Sequence, residues 1–202
     1  MSVLVTTLLV GCGVLVGRMI ARGGPPPQKE AEPVPAPKPE APAEPRAPVL
    51  ASFPCQLGDV VLRTGGDEAW LAGALVLYEG DAPAAALFVA PESGGDRVVL
   101  ARPSSTELLW LAEEKGVVVA LGDPPTALEI GTDRFERRRR LPLRAERAGT
   151  GAPDLGPDVI FAEYTGLGDD HLVVLATKTA SRAFRGPALG AGSYDVLPGG
   201  KD

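Results

Sequence analysis

Leu87-Phe88-Val89-Ala90, a turn at Ser93-Gly94-Gly95-Asp96, and Val98-Val99-Leu100-Ala101 form a unit that the chain repeats. Its second copy is Ile160-Phe161-Ala162-Glu163, a turn at Gly166-Leu167-Gly168-Asp169, and Val173-Val174-Leu175-Ala176. Apolar runs of this length, bounded by glycine and aspartate, have the dimensions of strands rather than of amphipathic helices. Glycine in the connections permits the positive φ that tight hairpins need. Correspondences extend outward on both sides: Leu62, Gly65 and Trp70 precede the first copy as Leu128, Gly131 and Phe135 precede the second, and Trp110 follows as Phe184 does. The pattern predicts a mainly β fold made of two similar antiparallel β-meander halves, 55–121 and 126–198, packed as a sandwich or as paired small barrels.

Further strands are expected at Asp59–Arg63, Trp70–Tyr78, Val117–Leu121, Ala127–Ile130, Phe135–Arg147 and Tyr194–Leu197. Ser104–Lys115 is the one helix candidate, with Ser104 or Ser105 as cap, Leu108, Leu111 and Ala112 as the stripe and Gly116 as the stop. The same segment holds Leu108-Leu109-Trp110-Leu111, which also suits a strand. Trp70, Trp110, Phe88 and Phe161 are expected in the core.

Ahead of this β-rich part (50–202) lie two segments of different composition. Residues 1–17 carry no charge and reach about 25 Å as a helix, so 1–22 reads as a transmembrane helix if Arg18 snorkels. Arg18 and Arg22 follow the apolar run, which by the positive-inside rule places the remainder in the cytoplasm of a bacterial inner-membrane protein. The alternative is a lipoprotein, because Leu9-Val10-Gly11-Cys12 fits the pattern in which Cys12 is lipidated after cleavage. Residues 23–49 hold 10 of the 21 prolines, together with Ala, Glu and Lys, and read as a disordered, polyproline-like linker with a reach of up to about 80 Å.

The net charge of −6 divides unevenly: residues 1–49 carry 5 Lys/Arg against 4 Glu, and the remainder 15 against 22. An acidic folded part argues against non-specific nucleic-acid binding, which depends on excess cationic side chains. Two cysteines, Cys12 and Cys55, exclude a disulfide framework or a thiolate zinc site within one chain.

Leu57-Gly58-Asp59-Val60-Val61, Trp70-x-x-Gly73, Ala162-Glu163-Tyr164 and Tyr194-Asp195-Val196-Leu197 together resemble the bacterial domain of unknown function 4178 family over most of 55–198. The resemblance implies no assigned activity, catalytic residue or cofactor. It implies a setting near membrane-stress and polyamine-synthase-like genes, and hence the alternative of an accessory subunit in such an enzyme system. The four-arginine run and the long N-terminal extension depart from the family pattern.

Arg134, Arg137, Arg138, Arg139, Arg140, Arg144 and Arg147 place seven guanidinium groups in fourteen residues. On a regular strand Arg138 and Arg140 would share one face and Arg137 and Arg139 the other. Such density either guards an edge strand against aggregation or forms a patch, Arg137, Arg138, Arg139, Arg140 and Arg144, for an anionic lipid or an acidic protein partner. His171, the only histidine, follows two aspartates and reads as a turn residue, and Cys55 as a small buried hydrophobe. No catalytic, cofactor or metal set emerges from these spacings. The expected function is a membrane-tethered, non-enzymatic interaction or scaffold module.

Overall fold

The computed structural model describes residues 49–92, 96–117, 119 and 122–199. The expected membrane helix (1–22), most of the linker, and Cys12 lie outside them. Among the described residues no helix is long and apolar enough to cross a membrane.

After a 3-10 turn at Leu50–Ser52 come β1 (Val60–Arg63), β2 (Glu68–Trp70), β3 (Gly73–Glu79), β4 (Ala82–Ala90), β5 (Arg97–Ala101) and β6 (Leu108–Glu113). The second half supplies β7 (Ala127–Ile130), β8 (Asp133–Gly149), β9 (Asp158–Thr165), β10 (Asp170–Ala176), β11 (Ser181–Leu189) and β12 (Tyr194–Leu197). The mainly β expectation therefore holds.

The two meanders, β3-β4-β5-β6 and β8-β9-β10-β11, are halves of one closed barrel. Their first strands, β3 and β8, pair at one seam and their last strands, β6 and β11, at the other. This differs from the expected sandwich or paired small barrels, because each half closes the other's open edges and so removes the unpaired backbone that separate halves would expose. Nor are the halves self-contained: β12, at the far end of the chain, pairs with β1 in a small sheet of order β12-β1-β2.

Three apolar clusters explain why the repeated strands read as continuous runs rather than alternating ones. Leu87, Val89, Val98, Leu100, Phe161, Val173 and Leu175 fill the barrel interior. The intervening Phe88, Ala90, Val99 and Ala101 point outward beneath the small sheet and meet Val61 and Ala69. In the second half, Ala162, Val174 and Ala176 point outward beneath Val119 and are packed by Leu128 and Ile130 of β7. Strands covered on both faces carry apolar residues at every position. The same reasoning corrects the expected helix. Leu108, Leu109, Trp110 and Leu111 are all buried, alternating between the outer cluster and the interior as β6 requires. Ser104 has φ 58°, in the left-handed region and incompatible with an N-cap.

Three further expectations are corrected. Trp70 is not a core aromatic: it stands 59% exposed on β2. Trp110 and Phe184 are not equivalent, since Trp110 packs outside the barrel and Phe184 inside. Of the strand expected at Val117–Leu121, Val117 and Val119 are not in a strand and pack as cover over the second half, while Val118, Ala120 and Leu121 lie outside the described residues. Trp110, Phe88, Phe161 and Cys55 are buried as expected.

Candidate binding groove and the arginines of β8

β8 is the longest strand and it forks. Along one side it pairs with β9 from Glu136 to Arg144. Along the other, its first residues pair with β7 and its last six, from Arg144, with β3. Between those two partners, no strand among the described residues pairs the free side of Arg138–Leu143. The arginine run thus sits at a gap, so the reading of a charge-guarded edge applies to this stretch alone. Pro142, which has no N–H to leave unsatisfied, occupies the same gap.

A β-bulge between Arg137 and Arg139 breaks the alternation expected for the run. With one residue inserted, Arg137 and Arg140 fall on the same, outer face instead of opposite faces. Both reach the connection that leads into β7. Arg137 donates to the Pro124 carbonyl, and Arg140 Nε lies 3.1 Å from Asp123 Oδ1. Tyr164 adds a third tie, its hydroxyl donating to the Pro125 carbonyl at 2.8 Å. Residues 122–126 are thereby strapped over the outer cluster of the second half. Burial of Tyr164, with Asp123 nearby and against the opposing effect of Arg137, pushes its hydroxyl up to about 12.

The remaining arginines part company. Arg138 Nε donates to Thr165 Oγ1 at 2.7 Å, while Arg139, opposite Glu163, has no hydrogen bond or ion pair among the described residues. Arg144 pairs with Glu146 and lays its guanidinium 4.4 Å from the centre of the Tyr78 ring. The five arginines of the expected patch therefore do not converge on one surface. Three of them, Arg137, Arg140 and Arg144, already serve the fold.

Beside Arg144 lies a groove of about 500 Å³ on the outer wall, between the β3–β4 turn at Gly80 and the strap at Gly122. Its lining includes exposed Pro142, half-buried Ile160 and buried Leu143 and Val159, with Tyr78 at one end. Arg144, Asp158 and Lys178 stand at its rim, all exposed. Concave, largely apolar sites with a few charged groups at the border are the usual form of a binding pocket.

A second constellation lies where sequence reading saw only a turn. Arg102, at the end of β5, reaches across the barrel to Glu163 of β9, with Nη2 2.6 Å from Oε1. His171 Nδ1 lies 3.8 Å from the same oxygen, an ion-pair distance rather than a hydrogen bond, and has no hydrogen-bond partner among the described residues. Burial disfavours ionisation of Glu163, but His171 and Arg102 together outweigh it and hold the carboxyl below its usual range. The one available signal was periodicity. Glu163 and His171 share the face of Phe161 and Val173, so the strand pattern already turned them toward the interior.

No protein-family model, curated protein or solved structure matches the chain.

Proposed function

We propose that the chain is a tethered, non-enzymatic interaction module. The uncharged N-terminal run followed by Arg18 and Arg22 favours an inner-membrane anchor with the barrel on the cytoplasmic side. The proline-rich stretch gives the barrel reach, and tethering raises the effective concentration at which even a weak contact forms.

The observation that carries the binding role is the groove beside the unpaired stretch of β8. Open backbone next to an apolar trough suits an extended segment of a protein partner, with one apolar side chain seated over Ile160 and Pro142. At the rim Arg144 is already paired with Glu146, so Lys178 and Asp158 are the charges left to address a partner, and Lys178 favours a segment with an acidic flank. The titratable side chains that do cluster inside the barrel, Arg102, Glu163 and His171, face one another, which supports a structural rather than a chemical role for them.

A photo-activatable benzophenone side chain in place of Ile160, in the full chain in its own membranes, tests the reading. A discrete protein adduct is expected from that position, and it should fade when Lys178→Glu is added. The same probe at exposed Lys115, away from the groove, is the comparison; equal labelling from both positions would remove the groove from the proposal. A reporter fused to the C-terminus tests the orientation separately.

A further inference from the structure

The small sheet covers the barrel with one face and leaves the other bare. Val60 is directly opposite Trp70 on one side and Leu197 on the other, so the three form a continuous apolar row across β12-β1-β2. Two residues along each strand the next outward row is Asp195, Leu62 and Glu68. Val61, Ala69 and Val196, which alternate with these, pack inward against the barrel. Trp70 and Leu197 are 59% and 49% exposed, and Glu68 and Asp195 are exposed without an ion-pair partner among the described residues. A solvated sheet face ordinarily carries polar residues, so an unbroken apolar row there marks a contact surface.

We infer that this face docks a short cationic amphipathic segment, apolar side chains over Trp70, Val60 and Leu197 and Lys or Arg against Glu68 and Asp195. Size and charge select that occupant. The row exposes on the order of a few hundred Å², well short of the ~800 Å² per partner that a stable globular interface needs, which disfavours a second copy of this chain. A second copy would also bring Glu68 and Asp195 against their own counterparts. An anionic lipid surface would meet the same two carboxylates, whose repulsion opposes it. A basic segment satisfies both: strands 4.8 Å apart and about 7 Å between the rows put apolar and acidic groups within one side-chain length of each other.

The test uses the full chain in neutral detergent and the emission of Trp70, since Trp110 is only 2% exposed and stays shielded. An alternating Leu/Lys hexapeptide should shift that emission to the blue. Leu197→Ser, which removes part of the apolar row and keeps the Trp70 reporter, should weaken binding by at least about fivefold, and so should Glu68→Gln with Asp195→Asn. Glu129→Gln with Asp169→Asn, which changes the net charge equally at remote exposed sites, should leave binding unchanged. Equal weakening by both charge pairs, or equal binding of a Leu/Glu hexapeptide, would overturn the proposal. So would quenching of Trp70 by brominated lipid in reconstituted vesicles, which would assign the face to the membrane. A concentration-dependent emission shift without peptide would likewise overturn it, assigning the face to self-association.

Discussion

Arg102 and Glu163 join opposite walls of the barrel at 2.6 Å, one from just past β5 in the first half and one from β9 in the second. Glu163 is the more enclosed partner, and its side chain retains 12% exposure. Glu163→Gln would leave Arg102 with a neutral acceptor in a partly desolvated place, at a cost of about 1–3 kcal/mol at neutral pH. The pH dependence has a definite sign. A carboxyl held below its usual range stabilises the fold above the ordinary carboxylate pKa, and that contribution disappears as pH falls through the lowered value. Urea unfolding at pH 7 should separate wild type from variant, and the two curves should converge as pH falls through the lowered value. A gap that stayed constant with pH would contradict the ion-pair account.

The seams between the halves depend on close backbone approach. A Cβ on Gly73 would sit 1.9 Å from the Thr150 carbonyl oxygen, and one on Gly186 would sit 2.1 Å from that of Trp110. Gly73 belongs to the β3–β8 seam and Gly186 to the β6–β11 seam, so both closures are equally intolerant. Gly73→Ala and Gly186→Ala should each destabilise by about 3 kcal/mol, since backbone rather than a flexible side chain must move. Gly80→Ala, at φ 62° but with open space around it, should cost about 1 kcal/mol. Thermal melts of the three variants provide the comparison.

Legibility of this fold divides along local and non-local lines. Strand positions could be read because Val98–Ala101 and Val173–Ala176 declare themselves by composition and by the turns around them. The Leu108–Leu111 run could not be assigned, because a strand buried on both faces has no alternation to distinguish it from a helix. Barrel closure rests on pairings between distant strands, β3 with β8 and β6 with β11, that no local pattern encodes. The arginine run was visible as chemistry but its faces were misassigned, because a single bulged residue reverses the parity of everything after it. Trp70 was misplaced for a related reason: it ends a short strand of the covering sheet rather than opening the barrel strand that follows at Gly73.

The strap over the second half should be the first region to yield at alkaline pH. Tyr164 donates to Pro125 only while protonated, and its hydroxyl is pushed up to about 12 by burial. A raised value means the stabilisation is complete below the ordinary tyrosine pKa of about 10 and is lost as pH climbs toward 12. Amide exchange in 122–130 should therefore accelerate above pH 10 before exchange in β10 does. Tyr164→Phe should raise exchange in the same residues at neutral pH and cost about 1 kcal/mol. Arg137→Ala should loosen that segment as well. A strap whose protection is indifferent to both substitutions would show that apolar packing of Val119 and Leu128 alone holds it.

Cys55 offers a readout of how tightly the small sheet seals the barrel. The thiol is buried beside Asp59, and burial first, with the neighbouring carboxylate second, pushes its pKa up to about 12. Asp59 is itself fixed by the Gln56 and Gly199 amides at 2.7 and 3.0 Å, which tie the start of the small sheet to the residues following β12. Because the thiolate is the reacting species, a rise from 9.0 to about 12 cuts its fraction at pH 8 by about a thousandfold, before access is considered. Native chain treated with iodoacetamide at pH 8 should leave Cys55 unmodified by peptide mass mapping, and denatured chain should alkylate it fully. Asp59→Asn tests the coupling: it lowers the electrostatic barrier to thiolate formation while weakening the acceptor for both amides. Cys55 labelling should accelerate in that variant at a urea concentration below the global unfolding transition. Labelling that tracked only global unfolding would mean the small sheet and the barrel open together.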